Sequence, residues 1–159
     1  MKIGISSDHR GYETKQELTN ILKEKGYNII DYGTNNTESV DYPTYAFKLC
    51  EEVKKQNLDF GIAICSTGIG MSIACNKVKG IRCAKVDNTK EAILTREHNN
   101  ANVIALSARK STLELKDIID KFLTTKFSNE ERHLRRINKL EDYDVNEIEL
   151  PIVSEENNG

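Results

Sequence analysis

At 159 residues the chain suits a single domain, long enough to bury about two thirds of the surface its unfolded form exposes. Charged residues make up 30% and apolar runs are only a few residues long, which excludes a membrane span, and the start "MKIGISSDHRG" lacks the basic and apolar regions of a secretory leader; a cytoplasmic protein is expected. The net charge of −2 is uneven, because residues 141–159 hold seven acids and no Lys or Arg, while residues 1–140 carry five more basic than acidic side chains, a surplus too small for nucleic acid and suited to a small anion.

In chain order, "KIGISS" is a short β-rich run, and "GYETKQELTNILKEKG" follows as a helix with Leu18, Ile21 and Leu22 on one face and Gly26 at its end. "YNIIDYG" reads as a strand, "PTYAFKLCEEVKKQN" as a helix with Pro43 near its start, "FGIAICS" as a strand and residues 70–78 as a helix. "IRCAKV", "TKEAILTREHN", "NVIALS" and "STLELKDIIDKFLTTKF" continue the alternation. Five strands with intervening helices predict a three-layer α/β/α sandwich around a five-stranded parallel, Rossmann-like sheet. One more helix is expected over residues 130–140, where Leu134, Ile137 and Leu140 recur every three residues. The acidic, Asn-rich segment 141–159 then stands as a tail, mobile at its end, with "IELPIV" able to dock on a neighbouring surface. No internal repeat is visible.

Open parallel sheets bind ligands beyond the carboxyl ends of their strands. Those positions hold Asp8 and His9, the turn Cys65, Ser66, Thr67, Gly68, Ile69 and Gly70, Asp87, and Ser107 to Arg109. A thiol at a strand end, facing N–H groups at the start of the next helix, is favoured as thiolate and serves as base or nucleophile. Gly68 and Gly70 let backbone N–H groups approach an oxyanion. Known phosphate loops do not fit: Ile73 stands where a dinucleotide fingerprint needs glycine, no Lys follows as in a P-loop, and Met71 occupies the arginine position of a phosphatase loop. Glycines after a strand also serve tight packing alone.

Cys50, Cys75 and Cys83 fall inside amphipathic elements and read as small buried hydrophobes; no C-x-x-C pair suggests zinc, and all four thiols are expected free. His9 and His98 lie at element ends and match proton transfer near neutral pH, although an isolated histidine is often a packing residue; His133 keeps both readings. Arg132 and Arg136, four apart on one helical face, and Arg109 after a strand can grip a phosphate, or can be a solvated basic face. No metal-ligand set assembles from the spacing, so no metal and no cofactor are expected.

Taken together, "ISSDHRG", "DYGT", "DYP", "CSTGIGMSIACNK", "GIRCA", "EHNNANVIAL", "SAR" and "RHLRRI" resemble, in order and over residues 1–140, the ribose-5-phosphate isomerase B family, which includes the galactose-6-phosphate isomerase subunits. The resemblance implies an aldose–ketose isomerase of the pentose phosphate pathway working through an enediolate. It implies Cys65 as the carbon base, His98 as the acid that opens the furanose ring, and Thr67 as an aid to proton movement between oxygens. It further implies Asp8 and His9 at the sugar or its phosphate, backbone N–H groups from Ser66 through Gly70 around the enediolate, Asn99 on a sugar oxygen, and Arg109, Arg132 and Arg136 on the phosphate. One branch of the family has a glutamate base where this chain has Met71, so the chain resembles the cysteine branch. A homodimer or tetramer with sites shared between subunits is implied, with the helix carrying Arg132 and Arg136 extending onto the neighbour. Two other readings stay open: an isomerase of hexose 6-phosphates, with "GTNNTESVDYP" setting pocket length, and a non-catalytic sugar-phosphate binder on the same scaffold.

Overall fold

The computed structural model describes residues 1–146 and Leu150. Eleven elements follow in order: β1 (Lys2–Ser7), α1 (Tyr12–Glu24), β2 (Asn28–Asp31), α2 (Tyr42–Lys54), β3 (Phe60–Cys65), α3 (Ile69–Cys75), β4 (Cys83–Lys85), α4 (Thr89–Asn99), β5 (Val103–Ser107), α5 (Thr112–Thr124) and α6 (Glu131–Val145). The five strands form one parallel sheet in the order β2-β1-β3-β5-β4.

Alternation along the strands sorts the core into two layers. Ile3, Ile5, Ile62, Ile64, Ile104 and Leu106 point to one face, where they meet Leu18 and Leu22 of α1, Ala92 of α4 and Ile119 and Phe122 of α5. Ala63, Cys65, Val103 and Ala105 point to the other, against Ala46 and Leu49 of α2 and Met71 and Ala74 of α3. Burying each large aliphatic side chain contributes about 1.5–3 kcal/mol, and a parallel sheet covered on both faces needs this near-continuous apolar run in its central strands. The α/β/α sandwich predicted from the alternation is the architecture found, with α6 packed outside on α4.

Four helix ends differ from the periodicity: α2 and α5 each stop three residues short, at Lys54 and Thr124, and the other two have identifiable causes. The third helix stops at Cys75 rather than residue 78, capped at Asn76, whose side chain turns to the backbone of Cys83 instead of continuing outward. The last helix runs to Val145 rather than residue 140, because tertiary contacts hold its acidic extension: Glu141 pairs with Arg82, and an Asp144 carboxylate oxygen accepts from Gly80 N–H at 2.8 Å. Apart from Leu150, the "IELPIV" stretch lies outside the described residues.

The sheet order also makes a switch point. Sequence-adjacent connections leave β1 and β3 toward opposite faces, α1 on one and α3 on the other, opening a crevice at their carboxyl ends. An ion pair between a buried lysine and a more exposed aspartate steadies one wall of it. Lys15, fully buried on α1, reaches Asp31 at 2.5 Å, and the other carboxylate oxygen of Asp31 accepts from Gly33 N–H at 2.8 Å. Gly33 and Thr34 then bond the backbone of Ser7, the last residue of β1.

Candidate active site

Pairing register places the first group of site residues. Ser7 pairs with Ile64, Ile64 with Leu106, and Cys65 with Ser107, so Asp8, Cys65 and Ser107 follow in one row across β1, β3 and β5. Asp8 N–H donates to Ile64 O at 3.3 Å, which keeps that row in register past the strand end. Neighbouring strands lie about 4.8 Å apart, so the three side chains are immediate neighbours at the carboxyl edge.

Cys65 is 5% exposed, and its Sγ accepts from Gly68 N–H at 3.2 Å. The turn that aims this donor needs its glycines. Gly68 has φ +80°, a conformation side chains resist, and an added Cβ would lie 3.0 Å from the Leu106 backbone. At Gly70 an added Cβ would lie 2.9 Å from the Tyr42 ring, which covers the turn. Thr67 Oγ1 accepts from Ile69 N–H at 3.2 Å, leaving the N–H groups of Thr67 and Gly70 without a backbone acceptor among the described residues. Met71 is fully buried in the layer below.

Other groups converge on the same edge. One oxygen of Asp8 accepts from the N–H groups of Arg10 and Gly11, and the second accepts no hydrogen bond among the described residues. Nδ1 of His9 accepts from Val40 N–H at 3.2 Å, so the ring proton sits on Nε2, away from the β2 loop. Ser107 Oγ donates to Ser66 O at 2.8 Å and accepts from Arg109 N–H, while Arg109 Nε donates to Ser66 Oγ at 3.3 Å. An anion here would meet an arginine already fixed at its stem.

His98, Asn99, Arg132 and Arg136 are elsewhere. Because α4 returns from the end of β4 to the start of β5, its last residues reach the amino edge, where Arg82 Nε donates to Asn99 O. The helix α6 is held there as well: His133 stacks on His98, ring centroids 4.3 Å apart and 18° from parallel, and Ser128 N–H donates to Glu97 O. The length of β5 separates this group from Cys65, a distance on the order of 13 Å or more at about 3.3 Å per residue. Within one chain, Cys65 and His98 do not touch.

The amino edge is electrostatically unfinished. His133 is buried, its Nε2 has no hydrogen-bond partner among the described residues, and desolvation with the neighbouring His98, Arg132 and Arg136 holds its pKa below the usual histidine value despite Glu130. Arg132 and Arg136 are exposed on the same face; Arg132 Nε donates to Glu130 at 3.0 Å, and Arg136 forms no ion pair among the described residues. A cavity of about 430 Å³ beside α6 takes in Asn99 and Arg82, but neither Cys65 nor Asp8 lines it. Asp87, also at a strand end, is bound to Lys85 at 2.7 Å. Among the described residues no three His, Cys, Asp or Glu side chains are arranged to hold a metal ion, and no helix is long and apolar enough to cross a membrane.

Ser107, already singled out at a strand end, fixes the turn through Ser66 O. Sequence reading passed over two contributors: Tyr42, which roofs Gly70, and Val40, whose N–H sets the His9 ring. Both depend on how the 33–42 loop folds back, which no local signal encodes.

Comparison with known proteins gives the family and the fold. The profile of the ribose/galactose isomerase family matches residues 3–140. Ribose-5-phosphate isomerase B of Escherichia coli is 40% identical over 140 residues, covering 87% of this chain and 93% of its own. The solved structure of ribose-5-phosphate isomerase B from Clostridium thermocellum superposes with a TM-score of 0.88 at 47% identity, covering 91% of this chain and 97% of that one. A structure of the Mycoplasma genitalium ribose-5-phosphate isomerase B with bound ribulose-5-phosphate gives a TM-score of 0.85 at 43% identity, covering 90% and 95%.

Proposed function

The chain belongs to the ribose/galactose isomerase family, and from that premise we propose that it interconverts ribose 5-phosphate and ribulose 5-phosphate. The observation that carries this reading is the row of Asp8, Cys65 and Ser107 on one face of the carboxyl edge, with Sγ of Cys65 turned to the N–H of Gly68.

Aldose–ketose isomerisation needs a base at the carbon beside the carbonyl, donors for the enediolate oxygens, and an acid and base for the oxygens themselves. Cys65 takes the carbon proton, its thiolate supported by Gly68 N–H. The N–H groups of Thr67 and Gly70 face the enediolate, and Thr67 Oγ1 assists proton movement between the two oxygens. Ser66 and Ile69 complete the turn. Asp8 and His9 bind the sugar through the free carboxylate oxygen and the Nε2 proton. His98 opens the furanose ring, and Asn99 holds a sugar oxygen. The phosphate binds to Arg109, Arg132 and Arg136, and its binding energy fixes the sugar against the sulfur.

Since His98 and Cys65 occupy opposite edges of one sheet, the active site requires two chains: the carboxyl edge of one subunit meets the amino edge of its partner in a homodimer. Residues 1–140 supply all these groups, and 141–159 stand outside the catalytic reading.

The reaction is tested by incubating the protein with ribose 5-phosphate in deuterated water and following ketose formation and exchange at the second carbon. Ketose and deuterium at that carbon are expected together. Turnover of a hexose 6-phosphate without either signal from ribose 5-phosphate would move the assignment to the longer sugar, and no reaction with any sugar phosphate would leave a binding protein.

A further inference from the structure

The end of α4, which carries His98 and Asn99, is held from outside the helix. Its cap residue Asn100 is left-handed, with φ +46°, and its last turn closes on Asn100 N–H to Arg96 O and Ala101 N–H to Thr95 O. The carbonyls beyond those have no acceptor role within a helix and need partners elsewhere. Arg82, just before β4, supplies them: Nε donates to Asn99 O at 3.1 Å and to Asn100 O at 3.2 Å, and Nη2 donates to Asn100 O at 2.9 Å. Arg82 is itself anchored at its backbone, where its N–H donates to Asn102 Oδ1 at 2.9 Å and its carbonyl accepts from the N–H groups of Asn102 and Val103.

The remaining direction of the guanidinium is also used. Nη1 donates to Glu141, the residue with which the α6 extension begins. With the His98–His133 stack and the bond from Ser128 N–H to Glu97 O, this clasp is a third tie between the end of α4 and the segment that carries Arg132 and Arg136. The cavity of about 430 Å³ lies beside it and is lined by Asn99, Arg82 and Glu141 alike, so close packing does not brace α4 on that side. Capping a helix end needs only one cation. Engaging two carbonyls and a carboxylate at once needs the planar fork of an arginine.

We propose that Arg82 and Glu141 are positioning residues for ring opening: their clasp sets the last turn of α4 so that the His98 imidazole and the Asn99 side chain meet the sugar in a fixed geometry. The inference rests on the isomerase reading given above, in which neither residue has a part. Helix ends fray, and a misplacement of about 1 Å can cost on the order of 100-fold in rate. Ring opening is the step exposed to such an error. There His98 gives a proton to O4 as the C1–O4 bond of ribose 5-phosphate breaks, and the C1 hydroxyl releases its proton to water as the carbonyl forms. Ribulose 5-phosphate has no such step, because its O5 carries the phosphate and cannot close a five-membered ring. Proton transfer at carbon by Cys65 is common to both sugars.

The test therefore compares two initial rates in deuterated water at saturating sugar: ketose formed from ribose 5-phosphate, and deuterium taken up at C1 of ribulose 5-phosphate. Arg82→Lys protein is first shown to be folded by circular dichroism and to keep the assembly of the unsubstituted protein by size-exclusion chromatography. Ketose formation should then fall about 10- to 100-fold and exchange by no more than about threefold. Glu141→Ala, at a half-buried side chain on the surface, should lower ketose formation roughly 3- to 10-fold and leave exchange close to its original rate. It decides alone should Arg82→Lys fail to fold. Equal falls in the two rates, or no fall in either, would overturn the proposal and leave the isomerase reading standing. If the unsubstituted protein gave neither signal, that reading would fail, and the proposal with it.

Discussion

The two edges of the sheet are built by different means. At the carboxyl edge the chemistry is fixed by backbone: register sets Asp8, Cys65 and Ser107 in a row, a left-handed glycine aims one N–H at the sulfur, and Ser107 ties the turn through Ser66. At the amino edge it is carried by side chains on the ends of two helices, with a stacked histidine pair, a His133 Nε2 that has no hydrogen-bond partner among the described residues, and two exposed arginines. On the reading proposed above, one edge carries the base with Arg109 as its one phosphate contact, and the other carries the acid and the remaining cations. A half-site of each kind in every chain would then give two whole sites when two chains pair with their edges opposed.

Substitutions should therefore divide by edge. The largest effect belongs to Cys65→Ala, where turnover should fall by about a thousandfold, within the range a positioned proton-transfer group contributes. Calorimetry should still detect sugar-phosphate binding within a few-fold of the unsubstituted protein, since Arg132 and Arg136 lie at the other edge and the Arg109 contacts do not involve the sulfur. Retained turnover in that variant would remove the sulfur from the mechanism.

Arg136→Ala should do the reverse. Loss of one charged hydrogen bond, about 1.5–3 kcal/mol, corresponds to a rise in KM of roughly 10- to 150-fold. Steady-state kinetics should show kcat little changed. A fall in kcat with KM unmoved would place Arg136 outside the phosphate contact.

The smallest effect separates the edges by pH. His133 has its pKa lowered in the folded chain, by desolvation first and by the His98, Arg132 and Arg136 charges next. As pH falls, the unfolded chain takes up the proton before the folded one, so this contribution to stability is complete above about 6.5 and is lost as pH drops through the folded value. The Tm of the unsubstituted protein should fall more steeply below that pH than the Tm of His133→Gln. Parallel curves would show that the buried ring does not titrate in the way its surroundings dictate.

The same contrast explains what could be read beforehand. Strand and helix alternation set the architecture, and strand-end positions such as Asp8, Cys65 and Arg109 were legible because a parallel sheet collects its strand ends at one edge. Arg132 and Arg136 were legible as a pair from their four-residue spacing. Their distance from Cys65 was not, because it depends on α4 running back to the start of β5, a matter of strand order rather than of local pattern. The extension of α6 to Val145 was missed for a similar reason: its apolar repeat ends at Leu140, and what carries it further is pairing of Glu141 with Arg82 and of Asp144 with Gly80.

The account stands on the opposition of the two edges across a subunit boundary, and complementation tests it directly. Cys65→Ala and His98→Ala chains, each inactive alone, are unfolded together, refolded as a mixture, and assayed with ribose 5-phosphate after mass spectrometry has confirmed mixed dimers. Random pairing makes half of the dimers mixed, each with one of its two sites intact, so about a quarter of the unsubstituted activity should return. Mixed dimers with no recovered activity would contradict a site built from the sulfur of one chain and the imidazole of the other.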